Sequence, residues 1–140
     1  MKHDDWTSTG NCVYALWYHV VWSTKYRRPV LADEVGQAMK AILTDLCAKH
    51  GYELRAVEVM PDHVHLLMSI PPAQAVSTAV KLLKGASARL VFIQFPELKR
   101  QLWGGHVWNP SYYVGSAGQV SGATIQAYIE RQKQHAAADD

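Results

Sequence analysis

Apolar residues follow two different periods along the chain, and the changes between them predict the order of its elements. A dense run of β-branched and aromatic residues over Val13–Ser23 is typical of a long central strand. From Asp33 onward, apolar residues recur every three or four positions until Gly51, which predicts a first helix with one buried face. The same helical period returns over residues 76–95, and Pro96 ends this second helix. The residues expected on its buried side are Val76, Val80, Leu83, Leu90 and Ile93.

The segments around these helices complete the predicted fold. Residues 52–60 and 63–70 flank the turn dipeptide Pro61-Asp62, which predicts a β-hairpin between the helices. We expect short strands around Asn109-Pro110 and a last helix over about residues 123–135. This order predicts an α+β fold, a ferredoxin-like antiparallel sheet covered by helices, with a further helix at the C-terminal end.

The composition is typical of one ordinary globular domain. Of the 140 residues, 49% are hydrophobic, so we expect a single domain over 1–140 with flexible ends at residues 1–12 and 136–140. Cys12 and Cys47 lack metal-type spacing, and we interpret them as reduced thiols. No segment resembles a signal peptide or a membrane helix, which favours a cytoplasmic protein. The net charge of +2 is too small to indicate a partner by itself.

Gly85 interrupts the helical pattern of the second helix. Inside a helix, glycine costs about 1 kcal/mol relative to alanine. We therefore expect Gly85 to serve close packing or the approach of a ligand.

The octapeptide Met60–Leu67 carries the first candidate chemistry, two imidazoles in the order His63-Val64-His65. Side chains alternate along a strand, so His63 and His65 point to the same side of the predicted hairpin. Such a pair can hold a divalent metal, although an inert, hydrogen-bonded pair on a sheet face is the alternative. With one more oxygen ligand, an open site of this kind suits Mg²⁺ or Mn²⁺ and does not resemble a structural zinc site.

A phenol and an amide lie four residues apart in the segment Tyr128–Gln132, within the predicted last helix. One helical turn separates them, so Tyr128 and Gln132 share a face. Most helical tyrosines serve packing. An unperturbed phenol has a pKa of about 10 and needs a metal or a base before it can act as a nucleophile at neutral pH.

Basic residues cluster in two segments, a loop after the first strand and the second helix. Clustered cations attract phosphates, and an aromatic side chain among them can stack on unpaired bases. A solvated helix face is the simpler explanation for the two lysines of the helix taken alone. The candidate residues for nucleic-acid binding are Lys25, Tyr26, Arg27, Arg28, Lys81, Lys84 and Arg89.

Taken together, Met60–Leu67 and Tyr128–Gln132 resemble the single-tyrosine HUH transposases of small bacterial insertion sequences. This is the TnpA-like family, related to the REP-associated tyrosine transposases. Three further segments resemble the family in the same order, and the resemblance covers about residues 14–132. Those segments are residues 18–28, 81–89 and 103–113.

The resemblance implies a role for each residue of the motifs. His63, His65 and Gln132 would be ligands of Mg²⁺ or Mn²⁺, and Tyr128, on a catalytic C-terminal helix, would form a 5′-phosphotyrosine with DNA. The substrate would be single-stranded DNA with hairpin ends, bound by the basic residues named above. The family also implies a homodimer with composite sites, each joining the histidines of one chain to Tyr128 of the other.

Two alternatives stay open at the level of the sequence. A domesticated relative would use the same chemistry on host repeat hairpins. A non-catalytic, single-stranded nucleic-acid-binding module would use a ferredoxin-like sheet without cleaving its ligand. That module would leave the histidine pair and the Tyr128/Gln132 pair unexplained.

Overall fold

A computed structural model describes residues 6–102, 105–117 and 129–130, and an antiparallel four-stranded sheet forms its centre. The strands are β1 (Thr7–Ser8), β2 (Val13–Tyr14), β3 (Trp17–Ser23), β4 (Glu53–Met60), β5 (His63–Ser69) and β6 (Tyr113–Ser116). The short strands β1 and β2 pair with each other, and the four strands of the main sheet lie in the spatial order β4-β5-β3-β6. In this order β5 of the β4–β5 hairpin pairs with one edge of β3 and β6 pairs with the other, which is the ferredoxin-like arrangement and confirms the predicted fold class.

Two long helices and one short helix accompany the sheet: α1 (Asp33–Lys49), α2 (Val76–Gln94) and α3 (Leu98–Gln101). Gly51 takes a φ of +77° directly after α1, where a residue with a Cβ would be strained, and so ends the helix as predicted. Of the helix predicted over residues 123–135, only Ile129 and Glu130 lie among the described residues, and their backbone is helical. No helix in the described parts of the chain has the length and apolar character needed to cross a membrane.

The core lies between the sheet and helices α1 and α2. Because side chains alternate along a strand, β3 and β5 each present every second residue to the helices. Full burial of such a side chain contributes about 1.5–3 kcal/mol. Trp22 also meets Trp108 edge to face, with 5.7 Å between ring centroids. The core residues supplied by β3 and β5 are Val20, Trp22, Val64, Leu66 and Met68, and they pack with Met39, Leu43, Val80 and Leu83 of the helices.

Two details of the predicted elements are wrong. The long strand expected over Val13–Ser23 is two strands, because β2 pairs with β1 whereas β3 pairs with β5 and β6. Ile93, expected on the buried side of α2, is 63% exposed. The last buried residue of α2 is Val91. Ile93 is two residues further along, a rotation of about 200° around the helix axis, and therefore points away from the buried face.

The two cysteines differ in exposure, and Thr7 contacts the main sheet. Cys12 is exposed, Cys47 is buried, and both are free thiols, as expected. Burial raises the pKa of the Cys47 thiol to about 12, so this side chain stays protonated. Within the segment expected to be a loose end, Thr7 donates a hydrogen bond of 3.0 Å to Glu53 of β4.

Two helical glycines provide a matched stability test, because their surroundings are opposite. A Cβ at Gly36 would lie 2.5 Å from the carbonyl oxygen of Leu31, whereas a Cβ at Gly85 would meet no described residue within 4 Å beyond its own stretch of helix. We expect Gly36→Ala to lower the free energy of unfolding by about 1–3 kcal/mol through overpacking. Gly85→Ala should raise it by about 0.4–1 kcal/mol, because alanine suits a helix interior better. Urea denaturation of both variants measures the difference, and a loss of stability in Gly85→Ala would contradict the open surroundings of that residue.

Candidate active site

The two histidines of the octapeptide lie side by side on the face of the sheet opposite α1 and α2. In β5, Val64 and Leu66 point into the core, so His63 and His65 point to the other face. Their directly paired neighbours on β3 are Ser23 and Val21. The histidine side chains are 16% and 24% exposed, which leaves both rings accessible to a small ligand.

His63 is oriented by the acidic residue before it. Its Nδ1 lies 2.8 Å from Oδ1 of Asp62. An ionised carboxylate only accepts hydrogen bonds, so Nδ1 carries a proton, and in the neutral ring the lone pair is on Nε2. A carboxylate that holds the second nitrogen of a histidine in this way is the usual support of a metal-binding imidazole.

The Asp62 carboxylate is shared with an arginine from the basic loop. Nε and Nη2 of Arg27 donate to its other oxygen, Oδ2, at 3.1 and 2.8 Å. Partial burial by itself would raise the pKa of Asp62, but the hydrogen bonds from His63 and Arg27 outweigh burial and hold this pKa below its ordinary value. Asp62 is therefore ionised at neutral pH and serves both neighbours at once.

His65 pairs with a histidine of the adjacent strand. Nε2 of His65 lies 3.0 Å from Nδ1 of His19, and their ring centroids are 5.2 Å apart. One nitrogen of this pair must accept, so at least one ring is neutral. Burial, with a further contribution from nearby His19, lowers the pKa of His65 below 6.5, although Glu58 opposes the shift. The neutral form is the one that binds metals.

His19 and Asp62 are site residues that the sequence interpretation did not assign. The alternation of β3 carried a signal for His19, because Val20 and Trp22 are core residues and their neighbours must face away. That β3 lies beside β5, however, follows only from the assembled sheet. Asp62 was taken as a turn residue, since its bond to His63 cannot be inferred from the spacing.

Two of the three predicted metal ligands, His63 and His65, lie among the described residues. Within this part of the chain, no group of three or more His, Cys, Asp or Glu side chains has an arrangement that could hold a metal ion by itself. The predicted third ligand, Gln132, and the predicted nucleophile, Tyr128, lie outside the described residues. Nε2 of His63, with its carboxylate support, fits one imidazole ligand of a divalent-metal site, whereas Nε2 of His65 would have to leave Nδ1 of His19 to become the second ligand.

Ile129, the residue after Tyr128 in the sequence, lies on the same face of the sheet as the histidines. It is 8% exposed and packs against Val21 of β3 and Tyr113 of β6. Its carbonyl oxygen accepts a hydrogen bond of 3.0 Å from Nη1 of Arg27. The residue that directly follows Tyr128 in the sequence therefore lies on the face that carries His63 and His65.

The basic loop presents three of its four candidate residues outward. The Tyr26 ring is 40% exposed, with Nζ of Lys25 at 5.6 Å and Cζ of Arg28 at 6.0 Å from its centroid. Arg27 points the other way, with a side chain only 6% exposed. Tyr26 and Arg27 have φ values of 58° and 55°, a left-handed conformation that costs about 1–2 kcal/mol for each residue.

One of the three candidate residues of α2, Lys84, lines a groove. Lys81 and Arg89 are exposed. Lys84 is half-buried and donates to the carbonyl oxygens of Asn109 and Ser111 at 2.6 and 3.2 Å. Burial lowers the pKa of Lys84 to about 8. The groove, with a volume of about 390 Å³, is lined by Lys25, Lys84, Gly85, His106, Trp108 and Asn109, among others.

Gly85 opens into that groove. Among the described residues, and apart from the backbone of its own helix and its chain neighbours, no atom lies within 4 Å of the position its Cβ would take, so close packing does not explain the glycine. Of the two reasons expected from the sequence, the approach of a ligand is the one compatible with these surroundings.

Comparisons with known proteins agree with the motifs. The family model described as "Transposase IS200 like" matches residues 12–132. ISDra2 transposase TnpA of Deinococcus radiodurans is 52% identical over 120 residues, which are 86% of either chain. The transposase of insertion sequence element IS200 from Salmonella typhimurium is 35% identical over 132 residues, 94% of this chain and 81% of the relative.

Solved structures give the same result. The crystal structure of a candidate transposase from Deinococcus radiodurans superimposes with a TM-score of 0.84 at 50% identity, over 90% of this chain and 97% of that one. A REP-associated tyrosine transposase bound to a REP hairpin shares the fold, with a TM-score of 0.53 at 15% identity, over 89% of this chain and 68% of that one.

An antiparallel ferredoxin-like sheet with a His-x-His pair on the face opposite α1 and α2 is the arrangement expected of the transposases that the sequence motifs resemble. The family model and the two relatives show that the chain belongs to the IS200-like transposase family, which confirms that resemblance. Membership of this family supports a transposase function.

Proposed function

We propose that the protein is a metal-dependent transposase that cleaves and rejoins hairpin-bearing single-stranded DNA through Tyr128. The observation that carries the proposal is the geometry of β5. His63, held by Asp62, and His65 share the face on which Ile129, the neighbour of Tyr128 in sequence, is packed. A non-catalytic binding module would have no use for this arrangement.

The proposed chemistry exchanges one phosphodiester for another. The phenolic oxygen of Tyr128 attacks phosphorus, a P–O bond to tyrosine forms, and the P–O3′ bond breaks. The leaving 3′-oxygen gains a proton and the phenol loses one, so the step is balanced and no nucleotide hydrolysis is required. Attack by another 3′-hydroxyl on the 5′-phosphotyrosine reverses the step and joins two strands.

His63, His65 and Gln132 would hold the metal, Mg²⁺ or Mn²⁺. When bound, such an ion polarises a phosphate oxygen and stabilises the charge that develops on it. The residues of the chain prepare the two imidazoles. Asp62 fixes the proton of His63 on Nδ1, and burial favours the neutral form of His65.

The DNA would lie along the exposed basic loop and the groove beside α2. Lys25, Tyr26 and Arg28 combine two cations with an accessible ring, which suits phosphates and one unpaired base. Lys84 and Gly85 line the groove from the helix, Lys81 lines a second hollow that shares both of them, and Arg89 is exposed further along α2. Gly85 would let a strand come close. The hairpin as ligand is consistent with the REP hairpin bound to the structurally similar transposase.

A homodimer with composite sites is part of the proposal. Ile129 contacts Val21 and Arg27 of its own chain here, and the same surface could receive the corresponding segment of a second chain. Gly115 is paired with His19 inside β6, whereas Gly118 and Gly122 come between β6 and that segment in the sequence. Glycine adds backbone freedom, which favours a connection that can take either path.

The central prediction is a covalent protein–DNA adduct. Wild-type protein with Mn²⁺ and labelled, hairpin-ended single-stranded DNA should give an adduct on a denaturing gel. Tyr128→Phe should give none while binding the hairpin nearly as well, because only the nucleophilic oxygen is lost. His65→Ala and chelation by EDTA should also remove the adduct, and Gln132→Ala should be milder because water can replace one oxygen ligand. Undiminished cleavage by Tyr128→Phe would exclude this nucleophile, and hairpin binding without any wild-type adduct would favour a non-catalytic module.

The second prediction concerns the basic loop. Lys25→Ala and Arg28→Ala should each weaken hairpin binding and reduce the slope of log Kd against log salt by about 0.7–0.9, the amount expected for one phosphate contact. Lys40→Ala, which removes an exposed lysine of α1 on the other side of the sheet, is the matched control and should leave the slope unchanged. Slopes equal to that of the control would place the DNA elsewhere.

The third prediction tests the composite site. Tyr128→Phe chains are mixed with His63→Ala/His65→Ala chains under conditions that allow subunits to exchange. If sites are shared, each heterodimer holds one site with all its parts, and part of the adduct should return. Heterodimers proven by affinity tags that recover no activity would place the tyrosine and the histidines of a working site in the same chain.

A further inference from the structure

Arg27 differs from the other cations of the basic loop because it is buried and fully engaged. Its side chain is 6% exposed, and three of its nitrogens donate hydrogen bonds within the protein. Nε and Nη2 reach Oδ2 of Asp62, and Nη1 reaches the carbonyl oxygen of Ile129. A guanidinium in this position has little capacity left for a phosphate.

The groups that Arg27 joins belong to the two halves of the proposed site. On one side, Asp62 holds Nδ1 of His63 with its other oxygen at 2.8 Å. On the other side, Ile129 directly follows Tyr128 in the sequence and lies on the histidine face of the sheet. The Arg27 guanidinium therefore contacts both the carboxylate that holds His63 and the backbone carbonyl of the residue that follows Tyr128.

The backbone of the loop is shaped to turn this side chain inward. Tyr26 and Arg27 both have positive φ values, and the turn is tied to the hairpin by Thr24. The Thr24 amide donates to the carbonyl oxygen of Asp62 at 2.9 Å, and its hydroxyl donates to the carbonyl oxygen of Arg28 at 2.7 Å. Strained backbone held by such bonds is found where a side chain must be placed accurately.

We propose that Arg27 is a positioning residue that couples the two halves of the active centre. Through Asp62 it fixes the ring of His63, and through the Ile129 carbonyl it holds the segment that carries Tyr128 against the sheet. This inference rests on the proposed function, since it assigns His63 and Tyr128 their roles. It separates Arg27 from the DNA-binding set in which the sequence analysis placed it.

Arg27→Lys tests the proposal because lysine keeps the positive charge but lacks the planar guanidinium. An ammonium places its three donors on one atom, so it cannot bond Asp62 and Ile129 together in the geometry of a guanidinium. We expect the single-turnover cleavage rate constant to fall about 10–100-fold while the Kd for hairpin DNA changes less than about twofold. Arg100→Lys, an exposed arginine of α3, is the matched control and should cleave like wild type.

Two readouts without DNA cleavage make the test independent of catalysis. Mn²⁺ affinity, measured by the EPR signal of free Mn²⁺, should fall about 10–100-fold in Asp62→Asn, which loses the carboxylate that supports His63. Hydrogen exchange of peptides containing Ile129 should be faster in Arg27→Lys than in Arg100→Lys. The combined variant Arg27→Lys/Asp62→Asn should lose less cleavage than the product of the two single losses, because the residues act as one unit.

The results that would overturn the proposal are distinct from those that would overturn the proposed function. Cleavage by Arg27→Lys within twofold of wild type, or a loss of hairpin affinity that matches its loss of cleavage, would show that Arg27 does not position the site. Thermal melting identifies a variant that does not fold. In that event Asp62→Asn decides, and wild-type Mn²⁺ affinity in that variant would refute the coupling. Absence of an adduct with wild-type protein would refute the proposed function, while the Mn²⁺ and hydrogen-exchange results would still test the contacts of Arg27.

Discussion

The two-residue alternation of strand β5 is the constraint on which the rest of the site depends. One side of this strand carries the core residues Val64, Leu66 and Met68, and the other side carries His63 and His65. A register slip by one residue would expose the core side chains and bury both imidazoles. The hydrophobic contact between the sheet and its two long helices therefore also fixes the direction in which the histidines point.

Around that strand, polar contacts connect parts of the chain that lie far apart in sequence. The Asp62 carboxylate joins the hairpin turn to the loop after β3, and the Arg27 guanidinium extends the connection to Ile129. Charge-assisted hydrogen bonds of this kind are stronger than neutral ones and are directional. In the proposed reaction a nucleophile must be held close to a phosphate, and rigid connections of this kind would serve that purpose.

Much of the fold could be predicted from the sequence, because its elements are set by local patterns. The bounds of α1 and of the hairpin followed from apolar spacing, the Pro61-Asp62 turn and Gly51. The break between β2 and β3 did not, since it depends on which strands pair with which. Likewise, Ile93 is apolar and close to the helical period but lies beyond the stripe that α2 buries.

The candidate site divides in the same way. His63 and His65 were found because their spacing alone sets their common direction. Their partners His19 and Asp62 were not assigned, because each contact depends on the assembled structure. Arg27 shows the difference most clearly. The sequence places it in one loop with two other cations, Lys25 and Arg28. Only the backbone conformation of that loop shows that the Arg27 side chain is buried.

Lys84 makes the charge of the groove beside α2 depend on pH. With a pKa of about 8, this lysine changes its charge within a mildly alkaline range, where ordinary lysines keep theirs. An anion that enters the groove favours the charged form and must raise that pKa. Occupation of the groove by a phosphate backbone at such a pH would therefore take up protons from the solvent, and the occupancy of the groove and the acidity of the medium become thermodynamically linked.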